Sequence, residues 1–301
     1  MKNKKNLIIV SIILLVLLGV FLTNIIRTNS KKIGETNKNY KILTSFYPLY
    51  IMTLNITDGA KNVETSNMAE KLNGCIHDYT LNTNDLKKFE KADVFIQNGG
   101  GLENFSQKVI DSYKDIKIVS GADNISDFII DDEGESNSHI WLSINNYISE
   151  IKTITNSLKT LNEENADIYE KNSQEYIEKL DSINSKYKSL TKLSGKKAIC
   201  LNESLEYLIR DCKIEETLIE TDHEQSALSA EKIKEIITKM KNENIKMIFI
   251  DKDDDSKTAQ TLANETGASI YRLDSEMNGE VKKEAYLEAM NYNFDILSKI
   301  E

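Results

Sequence analysis

The sequence predicts an α/β protein of two lobes with parallel-type sheets, joined by a long rigid helix and preceded by an N-terminal transmembrane helix. Three observations predict it. Short β-type runs alternate with amphipathic helical stretches in two separate parts of the chain, the pattern of helices layered on a parallel sheet. Between those parts, residues 162–194 contain neither glycine nor proline. Ahead of both, residues 7–26 are apolar except for Ser11, Gly19, Thr23 and Asn24.

At about 1.5 Å per residue, the apolar segment is long enough for a hydrocarbon core of roughly 30 Å. A cleaved signal peptide has a shorter apolar region, about 7 to 15 residues, followed by an A-x-A-like site. The nearest candidate, Thr28-Asn29-Ser30, is poor, so residues 7–26 read as an uncleaved signal anchor. Lys2, Lys4 and Lys5 before it are matched by Arg27, Lys31 and Lys32 after it, so charge does not set its orientation. The following polar residues, with Gly34 among them, read as a flexible stalk. The expected organisation is 1–32 anchor and start of stalk, 33–40 stalk, 41–161 N-terminal lobe, 162–194 linking helix and 195–301 C-terminal lobe.

In the first lobe, residues 42–46, 94–97 and 116–120 read as strands and 85–91 as a helix. Ile148, Ile151, Ile154, Leu158 and Leu161 then recur at helical spacing, as do Tyr169, Tyr176, Leu180, Ile183, Tyr187 and Leu190. In the second lobe, strands at 197–201, 245–250 and 269–271 alternate with helices at 230–242, 256–265 and from 280 onward.

With 40% hydrophobic and 29% charged residues in 301, the chain can bury two cores besides an anchor. Its formal charge of -10 argues against a nucleic-acid partner, because phosphate binding needs clustered Lys and Arg. An acidic surface favours cations instead.

Ligands of open α/β sheets bind beyond the carboxyl ends of the strands. His77 follows Gly74-Cys75-Ile76, His139 precedes Ile140-Trp141-Leu142-Ser143, Asn202 and Glu203 follow the strand at 197–201, and Asp251 follows the apolar run 245–250. Imidazole nitrogen with carboxylate oxygen suits a divalent transition metal, and four such groups suit tetrahedral zinc. A solitary histidine also serves as a core or capping residue, so residue chemistry alone leaves the site open.

The runs Ser45-Phe46-Tyr47-Pro48-Leu49-Tyr50, His77-Asp78-Tyr79, Lys91-Ala92-Asp93-Val94-Phe95-Ile96-Gln97-Asn98-Gly99, His139-Ile140-Trp141-Leu142-Ser143 and Leu262-Ala263-Asn264-Glu265-Thr266-Gly267-Ala268 carry a resemblance across the chain. In order and spacing the sequence resembles the zinc- and manganese-binding solute-binding proteins that serve ABC importers. The resemblance implies two α/β lobes bridged by a long helix, with the metal held by four side chains in the cleft between them. It places ligands on His77, His139 and Asp251. Where the family has a His or a Glu, this chain has Asn202, so the remaining ligand is Asn202, the neighbouring Glu203 or water, or else the site is degenerate. Zn2+ leads as cargo, with Mn2+ the alternative.

The implied partner is an ABC importer permease in the membrane, served by a tethered monomer on the extracytoplasmic face. The expected cycle begins with His77 and His139 exposed in an open form and ends with the second lobe completing the metal shell. Relatives in bacteria without an outer membrane usually carry lipid on a Cys at the end of the signal, whereas the first Cys here is Cys75. No G-x-S-x-G, H-E-x-x-H, Walker or Rossmann fingerprint supports an enzyme. A catalytic role is still the main competing class, since two His and a carboxylate also occur in metal hydrolases and oxygenases, and a surface adhesin or metal sensor on the same fold is a third.

Other features have plainer readings. Asp131, Asp132, Glu133 and Glu135 form an acidic loop; His223 reads as a surface residue. Asp251, Asp253 and Asp255 have the spacing of a calcium loop, but Ser256 and Leu262 stand where an EF-hand needs Gly and Glu. Cys75, Cys200 and Cys212 are odd in number, and the first two sit two residues before candidate ligands, where a thiolate ligand or a cleft disulfide is the alternative to small buried side chains.

Overall fold

The computed structural model describes residues 39–301 except 71, 73–75, 104, 106, 111, 114, 131–133 and 220–227. The expected anchor at 7–26, with Cys75, His223 and most of the acidic loop, lies outside the described residues. Among those described, no helix is long and apolar enough to cross a membrane. Tyr40–Glu301 form one compact unit.

Two four-stranded sheets organise it, each wholly parallel. The first contains β1 (Tyr40–Thr44), β2 (Val63–Asn67), β3 (Val94–Gln97) and β4 (Lys117–Ser120) in the order β2-β1-β3-β4. A two-stranded antiparallel hairpin, β5 (Ile129–Ile130) with β6 (Ser136–Asn137), follows. The second sheet contains β7 (Lys197–Cys200), β8 (Glu215–Leu218), β9 (Met247–Asp251) and β10 (Ser269–Leu273) in the order β10-β9-β7-β8. The central strands are continuous apolar runs, Val94-Phe95-Ile96 and Ile248-Phe249-Ile250, all fully buried, as a parallel sheet covered on both faces requires. β2, Val-Glu-Thr-Ser-Asn, and β8, Glu-Glu-Thr-Leu, are edge strands of polar composition. They carry no period-2 apolar signal, so the sequence does not mark them.

The helices begin and end where local chemistry directs. α1 (Tyr47–Ile56) has Pro48 in its first turn, where a missing N–H costs nothing. α2 (Thr83–Lys91) opens on a reciprocal capping box between Asn82 and Asp85. α3 (Ile144–Leu161) is capped by Ser143, and α4 (Ala166–Lys188) follows after a short 3-10 turn. α5 (Glu206–Asp211), α6 (Ala230–Asn242), α7 (Lys257–Thr266) and α8 (Ala285–Leu297) follow, and a single helical turn, Gln107–Ile110, lies between β3 and β4. α7 stops at Gly267, whose φ of 66° is the left-handed conformation that glycine adopts without strain.

α4 is buried along one face, through Tyr169, Tyr176, Leu180, Ile183 and Tyr187, and packs on α1, α3 and α8. Its core is continuous with both sheets, reaching Ile42 and Val94 on one side and Ala198 and Phe249 on the other. Each such large side chain contributes about 1.5–3 kcal/mol by leaving water. Tyr147 of α3 and Tyr286 of α8 stack with ring centroids 3.6 Å apart and planes 2° from parallel. Polar contacts add to the same seam: the Tyr47 hydroxyl donates to the Glu280 carbonyl at 2.7 Å and Asn55 Nδ2 to the Lys283 carbonyl at 2.8 Å. The carboxyl ends of both sheets thereby open toward a common region.

Candidate metal centre

His77 lies in the 3-10 turn Ile76–Asp78, beyond the carboxyl end of β2, and its side chain is exposed. His139 follows β6 and leads into the 3-10 turn Ile140–Leu142; it is 1% exposed. Their ring centroids are 5.1 Å apart at an interplanar angle of 65°. Glu203, in the turn Glu203–Leu205 beyond β7, brings Oε1 to 3.6 Å from His139 Nε2. One ligand atom from each of His77, His139 and Glu203 lies within 4.8 Å of the others. Ligand atoms about 2.0–2.2 Å from a tetrahedral metal stand roughly 3.3–3.6 Å apart, so a contraction of about 1 Å brings the three onto one ion.

The orientation of His139 follows from its neighbour two residues back. Asn137 Nδ2 donates to the Glu203 carbonyl at 3.0 Å and to Glu206 Oε2 at 2.6 Å, which fixes the amide so that Oδ1 faces His139. Oδ1 accepts the His139 backbone N–H at 2.8 Å and lies 2.9 Å from ring Nδ1. An amide oxygen only accepts, so Nδ1 carries a proton and Nε2 is the ring nitrogen turned toward Glu203. This is the second shell that metal-ligating histidines ordinarily have. The Tyr207 hydroxyl donates to the Asn137 carbonyl at 2.7 Å, so the strut is itself held.

Asn202 is differently engaged. Its Oδ1 accepts the Ser204 backbone N–H at 2.9 Å, and the Ser204 hydroxyl donates to the same oxygen, which makes Asn202 the cap of the turn that aims Glu203. Asp251 ends β9, with Oδ1 accepting the Asp253 N–H at 2.8 Å and Oδ2 accepting the Ser275 N–H at 3.2 Å. The three-residue cluster does not include it. It reaches the histidine side through Ser275, whose carbonyl accepts Trp141 Nε1 at 2.9 Å; the Trp141 ring lies 5.2 Å from that of His139.

Asp274, which the sequence reading leaves out, immediately follows β10 and precedes Ser275 in this bridge. It is 8% exposed, accepts the Glu276 N–H on Oδ1 at 2.9 Å, and pairs with Lys252 Nζ at 2.7 Å. The signal that would have found it is the one used for the others, a carboxylate just past a parallel strand. Asn137 had no such signal.

Among the described residues, no thiol belongs to the three-residue cluster. Cys200 and Cys212 are free and buried. Cys200 Sγ donates to the Asn202 carbonyl at 3.1 Å; burial first, then the charge of Glu216, hold the thiol well above its usual range. Glu216 itself is pushed up to about 8, by burial and then by Glu206.

A sequence profile of the family described as zinc-uptake complex component A, periplasmic, matches residues 42–300. The chain belongs to this family. The high-affinity zinc uptake system protein ZnuA of Bacillus subtilis is 28% identical over 282 residues, spanning 85% of this chain and 86% of that one. The iron-binding protein YfeA of Yersinia pestis is 23% identical over 275 residues, 88% of each chain. Among solved structures, an Mn-bound mutant form of a periplasmic metal-binding protein from Candidatus Liberibacter asiaticus superposes with a TM-score of 0.76. It is 25% identical and covers 87% of this chain and 100% of its own.

Proposed function

We propose that this chain captures a divalent metal ion, zinc ahead of manganese, and delivers it to the permease of an ABC importer. Family membership makes it the solute-binding component of such a system. The observation that carries the metal reading is the convergence of His77, His139 and Glu203, with the His139 ring held so that Nε2 faces Glu203. Two imidazoles with a carboxylate suit zinc, while a further carboxylate raises the share of oxygen that manganese prefers. The zinc-uptake name of the Bacillus relative supports the first.

In this reading Glu203 takes the third position and Asn202 caps its turn. A carboxylate from the ends of β9 and β10, Asp251 or Asp274, supplies the fourth. The lobes are 41–161 and 195–301, with 162–194 linking them, and because α4 is packed along its length the second lobe shifts little on loading. Residues 7–26 tether the protein to the outer face of the membrane, and the folded part acts as a monomer without catalysis. The test is elemental analysis of purified residues 33–301, with zinc and manganese competing for one site. Copurification of neither metal, with no binding on titration, would remove the reading. Unchanged cellular metal content on deletion would favour an adhesin or sensor.

A further inference from the structure

Behind the metal centre lie two buried carboxyl groups that the fold treats in opposite ways. Glu103, 5% exposed, is provided for as an anion: Ser45 Oγ donates to it at 2.7 Å, the Asn98 N–H at 2.7 Å and the Gly99 N–H at 3.0 Å. Glu150, in the middle of α3, is 0% exposed, and neither of its carboxyl oxygens meets a hydrogen-bond donor among the described residues. A buried carboxylate ion without donors or counterion is far less favourable than the neutral acid. Gly121 makes room for it, since a Cβ there would stand 2.8 Å from Glu150 Oε1. Burial first, then the charge of Glu103, push the Glu150 carboxyl well above the usual range.

The pair is wired to the site through Asn98. Its backbone N–H is one of the donors to Glu103, its Nδ2 donates to the Ser138 carbonyl at 3.0 Å, and Ser138 Oγ donates to the Gly100 carbonyl. Ser138 directly precedes His139. We propose that Glu150 keeps its proton in the folded protein at neutral pH and works as an acid gate: losing it sets two like charges together and loosens the turn 98–101 that holds Ser138 and His139.

Among the described residues, the surroundings of Glu150 offer no competing cation. Besides Glu103, the phenol of Tyr286 on α8 faces it, and Tyr147 of its own helix meets Tyr176 of α4. α1 brings Tyr47 and Tyr50; the turn Gly121–Asn124 brings only Asp123 and β4 only Lys117, both exposed; the turn Ile140–Leu142 carries no titratable side chain.

The proton assignment rests on the fold, and its consequence for His139 rests on the proposed metal centre. Thermal melting of the metal-free protein and its Glu150→Gln variant from pH 4 to pH 9 reads the first. The expected result is equal melting at pH 4 and an advantage for the Gln variant that grows by about 2–4 °C per pH unit above the ordinary carboxylate range. A difference that stays constant with pH, or an advantage confined to acid, overturns it. Zinc competition against a chelator reads the second: above the pH where the melting curves have diverged and become parallel, Glu150→Gln should bind at least about threefold tighter than the parent. Equal affinity throughout would break the link to His139. Absence of zinc binding in both proteins would instead overturn the metal reading, leaving the melting result to stand.

Discussion

Asn137 Oδ1 grips His139 twice, through the backbone N–H at 2.8 Å and ring Nδ1 at 2.9 Å. The two contacts fix both the position and the tautomer of a buried residue whose remaining ring nitrogen faces Glu203, because the amide's own N–H groups are committed to the Glu203 carbonyl and to Glu206. Asn137→Ala should therefore weaken zinc binding about 10- to 100-fold, the usual effect of removing such an outer partner, while the fold persists. Chelator competition beside a circular-dichroism melt checks both halves.

Glu203 and Asn202 are adjacent but hold different offices. Glu203→Ala should lower zinc affinity by about tenfold or more, whereas Asn202→Ala should cost about 1 kcal/mol of stability through the lost cap and move affinity much less. The reverse ranking would reassign the ligand to Asn202.

On the opposite side, Ser275 ties Asp251 to Trp141, and Asp274 sits next to it. Asp274→Ala and Asp251→Ala should each reduce zinc affinity about tenfold or more, with the larger loss at Asp274 if Asp251 acts through the loop it anchors. Measuring the double variant decides this. Non-additive losses identify one shared ligand arm, and additive losses identify two independent contributions.

Glu216, pushed up to about 8 by burial and by Glu206, gives a pH dependence whose sign is fixed. A carboxyl whose folded value is raised stabilises fully below its unfolded value, about 4.3, and that stability is lost as pH climbs through the folded value. Glu216→Gln should match the parent near pH 4 and exceed its melting temperature at pH 9. A variant less stable at pH 9 would show that Glu216 is needed as an anion.

Tyr286 joins the two halves by stacking on Tyr147 and by donating to the Trp141 carbonyl at 2.6 Å. Tyr286→Phe keeps the stack and deletes a buried hydrogen bond, so denaturant unfolding should show a loss of about 1–3 kcal/mol at an unchanged slope.

Much of this molecule is written in short-range pattern. The apolar runs at 94–97 and 245–250, the caps at Asn82 and Ser256, and the stretch without glycine or proline through α4 are local signals, because burial on both sheet faces and helix-end hydrogen bonding act within a few residues. The edge strands β2 and β8 were hidden, since an edge half in solvent has no need of apolar composition. The same division holds at the metal centre. Sequence alone identified Asn202, Glu203 and Asp251 as residues just beyond strand ends, and singled out His77 and His139 by their chemistry and by the family resemblance. Tertiary structure decided which side chains face one another: a capping bond turns Asn202 into its own turn and leaves Glu203 aimed at His139. It also fixed Asn137 behind His139, through long-range bonds to the Glu203 carbonyl and from the Tyr207 hydroxyl that no local spacing encodes.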